Sequence, residues 1–427
     1  MSNQEFIDRH HAAMVLNYGK LPAVLVRGEG SRLWDADGKE YIDMFAGFGG
    51  TILGHQHPAL VAAVTRQVGT IWAAGNQFYT EPQLRLAESL QRLAFDGRAF
   101  FCHSGAEANE AAIKLARISA AESGRFKIIS MREGFHGRTL GALSATPTLA
   151  YQQGFFPLVP GFVSVPFNDL AALEAAIDAE TCAVITEPIQ GESGINMPAD
   201  NFLPGVRALC DRHKLTMIVD EVWTGIGRTG KTFGFQHDCA TPPSEPRSEP
   251  RPSGSVSPSE PRPLGSGSQY SITPDIITLG KALGGGLPVG CMFARPERAA
   301  FFKPGTHGCT LGGNPICAAA GAAVLEVLEE ENLPARAAML GAKIVARIRA
   351  FNPAAASKIK EIRGRGLMLG IELVQPDATA LVPNALAKGL ILNVTHKHVV
   401  RLAPALTIPE DLAMRGLDIL EQSLVAL

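Results

Sequence analysis

The chain is poor in the features that would place it outside the ordinary globular enzymes. Its seven cysteines stand at positions 102, 182, 210, 239, 291, 309 and 317, an odd number with no C-x-x-C pair. A disulfide framework and a zinc site are therefore not expected, and a reducing cytoplasm fits best. Charge of one sign is also missing: 39 basic against 41 acidic residues leave a formal net charge of −2. No global field favours nucleic acid or an anionic membrane. No apolar run reaches the ~20 residues that span a bilayer. The opening MSNQEFIDRHH carries acids and no apolar stretch, unlike a secretory leader.

What is present is a 427-residue chain, 46% hydrophobic and 19% charged. That length is enough for two or three domains, each with its own core. Short apolar or β-branched runs at 99–102, 127–130, 183–186, 216–219, 276–279 and 289–294 read as strands. They alternate with helical segments such as 106–121, 170–179 and 203–213. This alternation predicts an α/β fold with a mostly parallel sheet, whose ligands sit beyond the carboxyl ends of the strands. A helical stretch from Pro315 to about Ala350 follows. Strand-like runs at 360–363, 367–374 and 399–402 then mark a smaller α+β domain. Residues 30–34 and 41–45, around Asp37-Gly38, read as a hairpin. The expected division is an N-terminal segment 1–50 that joins the small domain, a large domain 51–309 and a small domain 310–427. Within the large domain, 241–271 is almost wholly Pro, Ser, Gly, Glu and Arg, with Ser-Glu-Pro-Arg at Ser244, Ser248 and Ser259. It reads as a disordered surface insertion.

Three motifs carry chemistry. Ser104-Gly105-Ala106-Glu107 is a capping box that opens a helix, a place where free N–H groups favour a phosphate. Asp220 closes the run Met217-Ile218-Val219 and should project at the sheet's carboxyl edge. Lys281 follows the strand run Ile276–Leu279 and precedes Gly284-Gly285-Gly286. A lysine at a dry strand end should have a lowered pKa, which suits an amine that condenses with a carbonyl. Singly, each motif has a bland reading: a helix cap, a capping Asp, a solvated lysine. Together they are the parts a pyridoxal-phosphate site needs, with Lys281 on the aldehyde and Asp220 keeping the pyridine nitrogen protonated.

Further motifs give this constellation a family. They are Phe135-His-Gly-Arg-Thr139, Glu187-Pro-Ile-Gln-Gly191, Asp220-Glu-Val222, the Lys281 segment, His307–Pro315 and Arg401-Leu-Ala-Pro404. The chain resembles the class III (ornithine-type) aminotransferases of pyridoxal-phosphate fold type I over nearly its whole length, apart from the insertion. The resemblance implies a cofactor of pyridoxal 5′-phosphate and a homodimer. Lys281 would hold the cofactor and move the proton. Asp220, Val222 and Phe135 would flank its ring, and the Gly105 and Ala106 backbone would take its phosphate. Thr310 would reach the neighbouring subunit's phosphate. Arg401 would take the α-carboxylate of glutamate, with Glu187 as its alternate partner. Arg138 would take the far carboxylate, helped by Tyr18. The implied reaction moves the terminal amine of N2-acetylornithine to 2-oxoglutarate. Ornithine, succinylornithine, 4-aminobutyrate or another ω-amine are alternative donors, and an aminomutase is the rival of another class. Trp223, Ser193 and Phe48 depart from common family residues and bear on the substrate pocket.

Overall fold

A computed structural model describes residues 2–238 and 272–427. The insertion expected at 241–271 lies outside the described residues. Seven strands form the central sheet: β1 (Arg98–Cys102), β2 (Lys127–Met131), β3 (Phe162–Val165), β4 (Thr181–Thr186), β5 (Thr216–Asp220), β6 (Ile276–Leu279) and β7 (Gly290–Ala294). Their spatial order is β1-β7-β6-β5-β4-β2-β3. All neighbours are parallel except β7, which runs antiparallel to both β1 and β6.

β4, β5, β6 and β7 are buried at every position. Their continuous apolar runs are what a sheet covered on both faces demands. Helix α1 (Gly105–Ser119) covers one face and buries Ala108, Ala111, Ala112, Ile113 and Leu115. Helix α2 (Phe202–His213) presents Phe202, Val206 and Leu209 to the core. β3 did not stand out in the sequence. It is an edge strand of four residues with a weak burial alternation.

The helical stretch after Pro315 is two helices, α3 (Pro315–Glu330) and α4 (Leu333–Arg349). They break at Asn332, whose φ of 48° is left-handed. α3 packs on the helices Pro58–Val68 and Glu81–Leu93. Strands Ile359–Arg365, Met368–Leu373, Val399–Leu402 and Asn393–Thr395 form an antiparallel sheet in that order. The hairpin near the start pairs Arg32–Asp35 with Glu40–Asp43 and gains a third strand, Leu25–Glu29. Its turn is pinned by Asp35, which accepts from Lys39 N–H at 2.9 Å and from the Tyr41 hydroxyl at 2.6 Å. Leu390–Ile391 adds to this sheet beside Glu40–Asp43, so distant parts of the chain share one layer. Among the described residues no helix is long and apolar enough to cross a membrane.

Candidate active site

The carboxyl edge of the sheet gathers the chemistry. Ser104, Glu187, Asp220 and Lys281 all stand at or just past the ends of β1, β4, β5 and β6. A cavity of about 240 Å³ there is lined by Gly105, Ala106, Phe135, Arg138, Glu187, Asp220, Val222 and Lys281. Residues that the sequence reading named one by one thus meet in one place, although they run from Gly105 to Lys281 along the chain.

Asp220 is the most constrained of them. It is buried, and its Oδ2 accepts from His136 Nδ1 at 2.8 Å and from Asn109 Nδ2 at 2.8 Å. Its Oδ1 accepts the Val222 N–H at 3.0 Å. Asn109 is fixed in turn, accepting from Thr278 Oγ1 at 2.7 Å and donating to the His136 carbonyl at 2.7 Å. Burial opposes charge on His136, but the Asp220 carboxylate outweighs it and holds the imidazole above its ordinary pKa. Unit charges 4 Å apart interact by roughly 4 kcal/mol at an effective dielectric of 20. Among the described residues, His136 Nε2 is buried without a hydrogen-bond partner.

Lys281 opens a short 3-10 turn and has φ of 36°. A side chain held at positive φ costs on the order of 1–3 kcal/mol and persists only where its surroundings enforce it. The preceding Gly280 packs tightly on the start of α1, where a Cβ would lie 2.8 Å from the Gly105 nitrogen. Burial lowers the Lys281 pKa, against the pull of Asp220, Glu192 and Glu187. Its Nζ lies 5.1 Å from the centre of the Trp223 ring.

The capping box forms. Ser104 Oγ accepts the Glu107 N–H at 3.2 Å, and the Glu107 carboxylate reaches back to the His103 N–H at 2.8 Å. A Cβ on Gly105 would lie 2.6 Å from the Val222 methyls, so only glycine lets α1 start this close to β5. The first-turn N–H groups of such a helix have no intrahelical acceptor.

The arginines differ from expectation in one respect. Arg401, on Val399–Leu402, is buried and paired at 2.8 Å with Glu192, not with Glu187. Its Nε also donates to Asn393 at 2.8 Å and its Nη1 to the Gly191 carbonyl at 3.1 Å. Glu187 turns the other way. Its Oε2 accepts the Phe135 N–H at 3.0 Å and its Oε1 the Gly191 N–H at 3.4 Å. Burial pushes Glu187 up to about 7, with Asp220 adding to the rise and His136 opposing it. The physical reason is the turn after β4. It spends the Glu187 carboxylate on backbone N–H groups and leaves Glu192, one residue past Gly191, to face Arg401.

Arg138 has no ion pair or hydrogen bond among the described residues. Its guanidinium lies 3.7 Å over the Tyr151 ring and 5.5 Å from the Phe135 ring. Phe45, Phe48 and Trp223 surround Arg401 at 5.5, 6.0 and 4.9 Å. Two predicted residues stand apart. Tyr18 is 74% exposed on the N-terminal arm. Thr310 is exposed and lines a separate surface depression with Asn76. Glu221 is buried away from the cavity and accepts the Gly234 and Phe235 N–H groups at 2.8 and 2.7 Å. Sequence reasoning missed Glu192 and Tyr151 and named no role for Asn109.

The family model "Aminotransferase class-III" matches residues 13–243 and 266–424, leaving out only the termini and the core of the insertion. The chain belongs to the class III aminotransferases. It is 42% identical over 429 residues to an acetylornithine aminotransferase of Methanopyrus kandleri, covering 100% of both chains. It is 41% identical to one of Caldanaerobacter subterraneus, over 95% of this chain and 96% of that one. Among solved structures it is similar to the ornithine aminotransferase of Toxoplasma gondii, with a TM-score of 0.88 and 30% identity over 100% and 96% of the two chains. The acetylornithine aminotransferase of Elizabethkingia anophelis gives a TM-score of 0.82 and 30% identity over all of both.

Enzymes of this class use pyridoxal phosphate. The residues present fit that group. An amine of lowered pKa, a buried carboxylate held by His136 and Asn109 and a glycine-opened helix start line one cavity.

Proposed function

We propose that this aminotransferase moves the terminal amine of N2-acetylornithine to 2-oxoglutarate, yielding N-acetylglutamate semialdehyde and glutamate. The observation that carries this reading is the pair of unlike arginine subsites flanking Lys281. Arg401 holds an exchangeable acid, Glu192, and Arg138 is free to take a carboxylate. An amine donor with a carboxylate only at its far end needs Arg401 neutralised, because an unpaired buried charge is costly. Glutamate brings a second carboxylate next to its amine and can replace Glu192 there. The names of the similar proteins from Methanopyrus kandleri and Elizabethkingia anophelis support the donor.

In this reading pyridoxal phosphate, bound at Lys281, supplies the electron sink for the carbon that carries the amine. The chain supplies the rest. Lys281 Nζ takes and returns the proton at that carbon, a role that its lowered pKa favours. Asp220 holds the ring nitrogen protonated. Val222 and Phe135 bound the ring on its two faces. The Gly105 and Ala106 N–H groups meet the phosphate at the start of α1. Arg138 takes the far carboxylate in both half-reactions as a bidentate pair.

A homodimer completes the proposal. Asn76 Nδ2 donates to the Cys309 and Gly312 carbonyls at 2.8 and 3.1 Å, tying the Thr310 loop to the loop that carries Trp72, Phe78 and Tyr79. These three aromatic side chains are exposed, and surfaces of this kind are covered by partners. Thr310 then meets the neighbouring subunit's phosphate, and Tyr18 on the N-terminal arm acts only within the assembled site. The deciding experiment is a panel of donors with 2-oxoglutarate. Acetylornithine should give the highest kcat/KM. A higher value for ornithine or 4-aminobutyrate would replace the donor, and turnover without 2-oxoglutarate would favour an aminomutase.

A further inference from the structure

Arg138 lacks every support that normally fixes an arginine at a binding site. No carboxylate pairs with it and no hydrogen bond holds it among the described residues. What places it is the face of Tyr151, 3.7 Å from the guanidinium carbon. A guanidinium held over the face of a ring, and not by its N–H groups, keeps the N–H fork that grips a carboxylate. The ring is itself braced, meeting Phe135 edge-on at 5.9 Å and 88°. Tyr151 sits in the short helix Leu149–Gln152. Gln152 secures this helix by donating to the Leu143 and Thr146 carbonyls at 3.2 and 2.9 Å.

We propose that Tyr151 is a positioning residue for the far-carboxylate subsite: its ring seats Arg138. This rests on the two-subsite reading above. The ring acts on both donors alike, through Arg138.

Two substitutions in the holoenzyme test the seat, followed as single-turnover absorbance changes. Tyr151→Leu should raise the half-saturating concentration of glutamate about tenfold, the worth of a well-placed cation–π contact, with the limiting rate near that of the parent. In an Arg138→Ala background the same change should add little, since contacts that act as a unit are not additive. Tyr151→Phe keeps the ring and so the seat, and should leave half-saturation for both donors near that of the parent. Full additivity of Tyr151→Leu with Arg138→Ala would overturn the seat. A roughly tenfold rise in half-saturation in Tyr151→Phe would overturn it too, and this variant is readable even if Tyr151→Leu folds poorly. A parent enzyme that reacts with glutamate but not with acetylornithine would sink the donor reading alone. The glutamate arms would still judge Tyr151.

Discussion

The floor of the site and its mouth are built on opposite plans. At the floor, Asp220 sits in a buried network that runs through His136, Asn109 and Thr278, with bonds of 2.7–2.8 Å between side chains fixed on separate elements. At the mouth, Arg138 leans on an aromatic face and Arg401 relies on an acid whose side chain is 28% exposed. The difference follows from what each end must do. A ring nitrogen needs one protonation state throughout, so its partner is immobilised and stripped of alternatives. A carboxylate subsite must change partners in every turnover, so Arg138 is held by a ring face rather than by its N–H groups, and Arg401 keeps a partly exposed acid that can give way.

The largest expected effects test the floor. Lys281→Ala should reduce turnover by several orders of magnitude, because among the described residues no other lysine lines the cavity to move the proton. Borohydride reduction of the holoenzyme followed by peptide mapping should place the cofactor on Lys281, and a label on another lysine would end that assignment. Asp220→Asn should fold, since an amide can keep part of the network. It should slow both half-reactions on the order of 10³-fold, the rate equivalent of roughly 4 kcal/mol. A loss confined to one donor would mean that Asp220 belongs to the mouth instead.

A smaller and asymmetric effect is expected at the mouth. Glu192→Gln removes the charge that neutralises Arg401. It should slow the acetylornithine half-reaction about tenfold and spare or improve the glutamate one, as the cost of an unpaired buried cation falls on only one of them. Glu187→Gln should shift neither balance in this way, because its carboxylate is spent on the Phe135 and Gly191 N–H groups. Single-turnover comparison of the two variants tells the acids apart. If Glu187→Gln gave the asymmetry and Glu192→Gln did not, the observed pairing would not be the working one.

That distinction also marks where the sequence stopped being legible. Asp220 and Lys281 could be found because each follows a run of buried strand residues and so must stand at the sheet's carboxyl edge. Ser104 and Gly105 could be found because helix starts have a local code. Glu187 and Glu192 lie on one turn, close together in the chain. Which of them faces Arg401 is decided by how that turn folds against a strand far along the sequence. No periodicity records this. Tyr151 was invisible for a similar reason: it stands in a four-residue helix without a motif, and only the fold brings its ring under Arg138. The antiparallel placing of β7 and the break at Asn332 were likewise tertiary facts, whereas most of the buried strands read directly as apolar runs.

The smallest effect concerns a buried acid that belongs to neither end. Glu221 adjoins Asp220 but points into the core, where burial pushes its pKa up to about 7 despite bonds from Thr224, Phe235 and Gly234. Its ordinary value is 4.5, so between these two pH values the folded chain holds a proton that the unfolded chain has released. The stability this group contributes is therefore fully present below about pH 4.5 and is lost as pH rises through about 7. Glu221→Gln carries a permanently neutral side chain of the same shape. Relative to the parent, its melting temperature should fall less between pH 5 and pH 8, with the two curves separating as pH rises to about 7. The difference should be on the order of 1 kcal/mol or a few, since a tenfold change in proton affinity is worth about 1.4 kcal/mol and the anion recovers part of the cost through its backbone donors. Because Glu221 does not line the cavity, the half-reaction rates should be unchanged. A variant whose melting curve ran parallel to the parent's across that range would show that Glu221 is charged in the folded protein at both ends. The three hydrogen bonds, not burial, would then govern it.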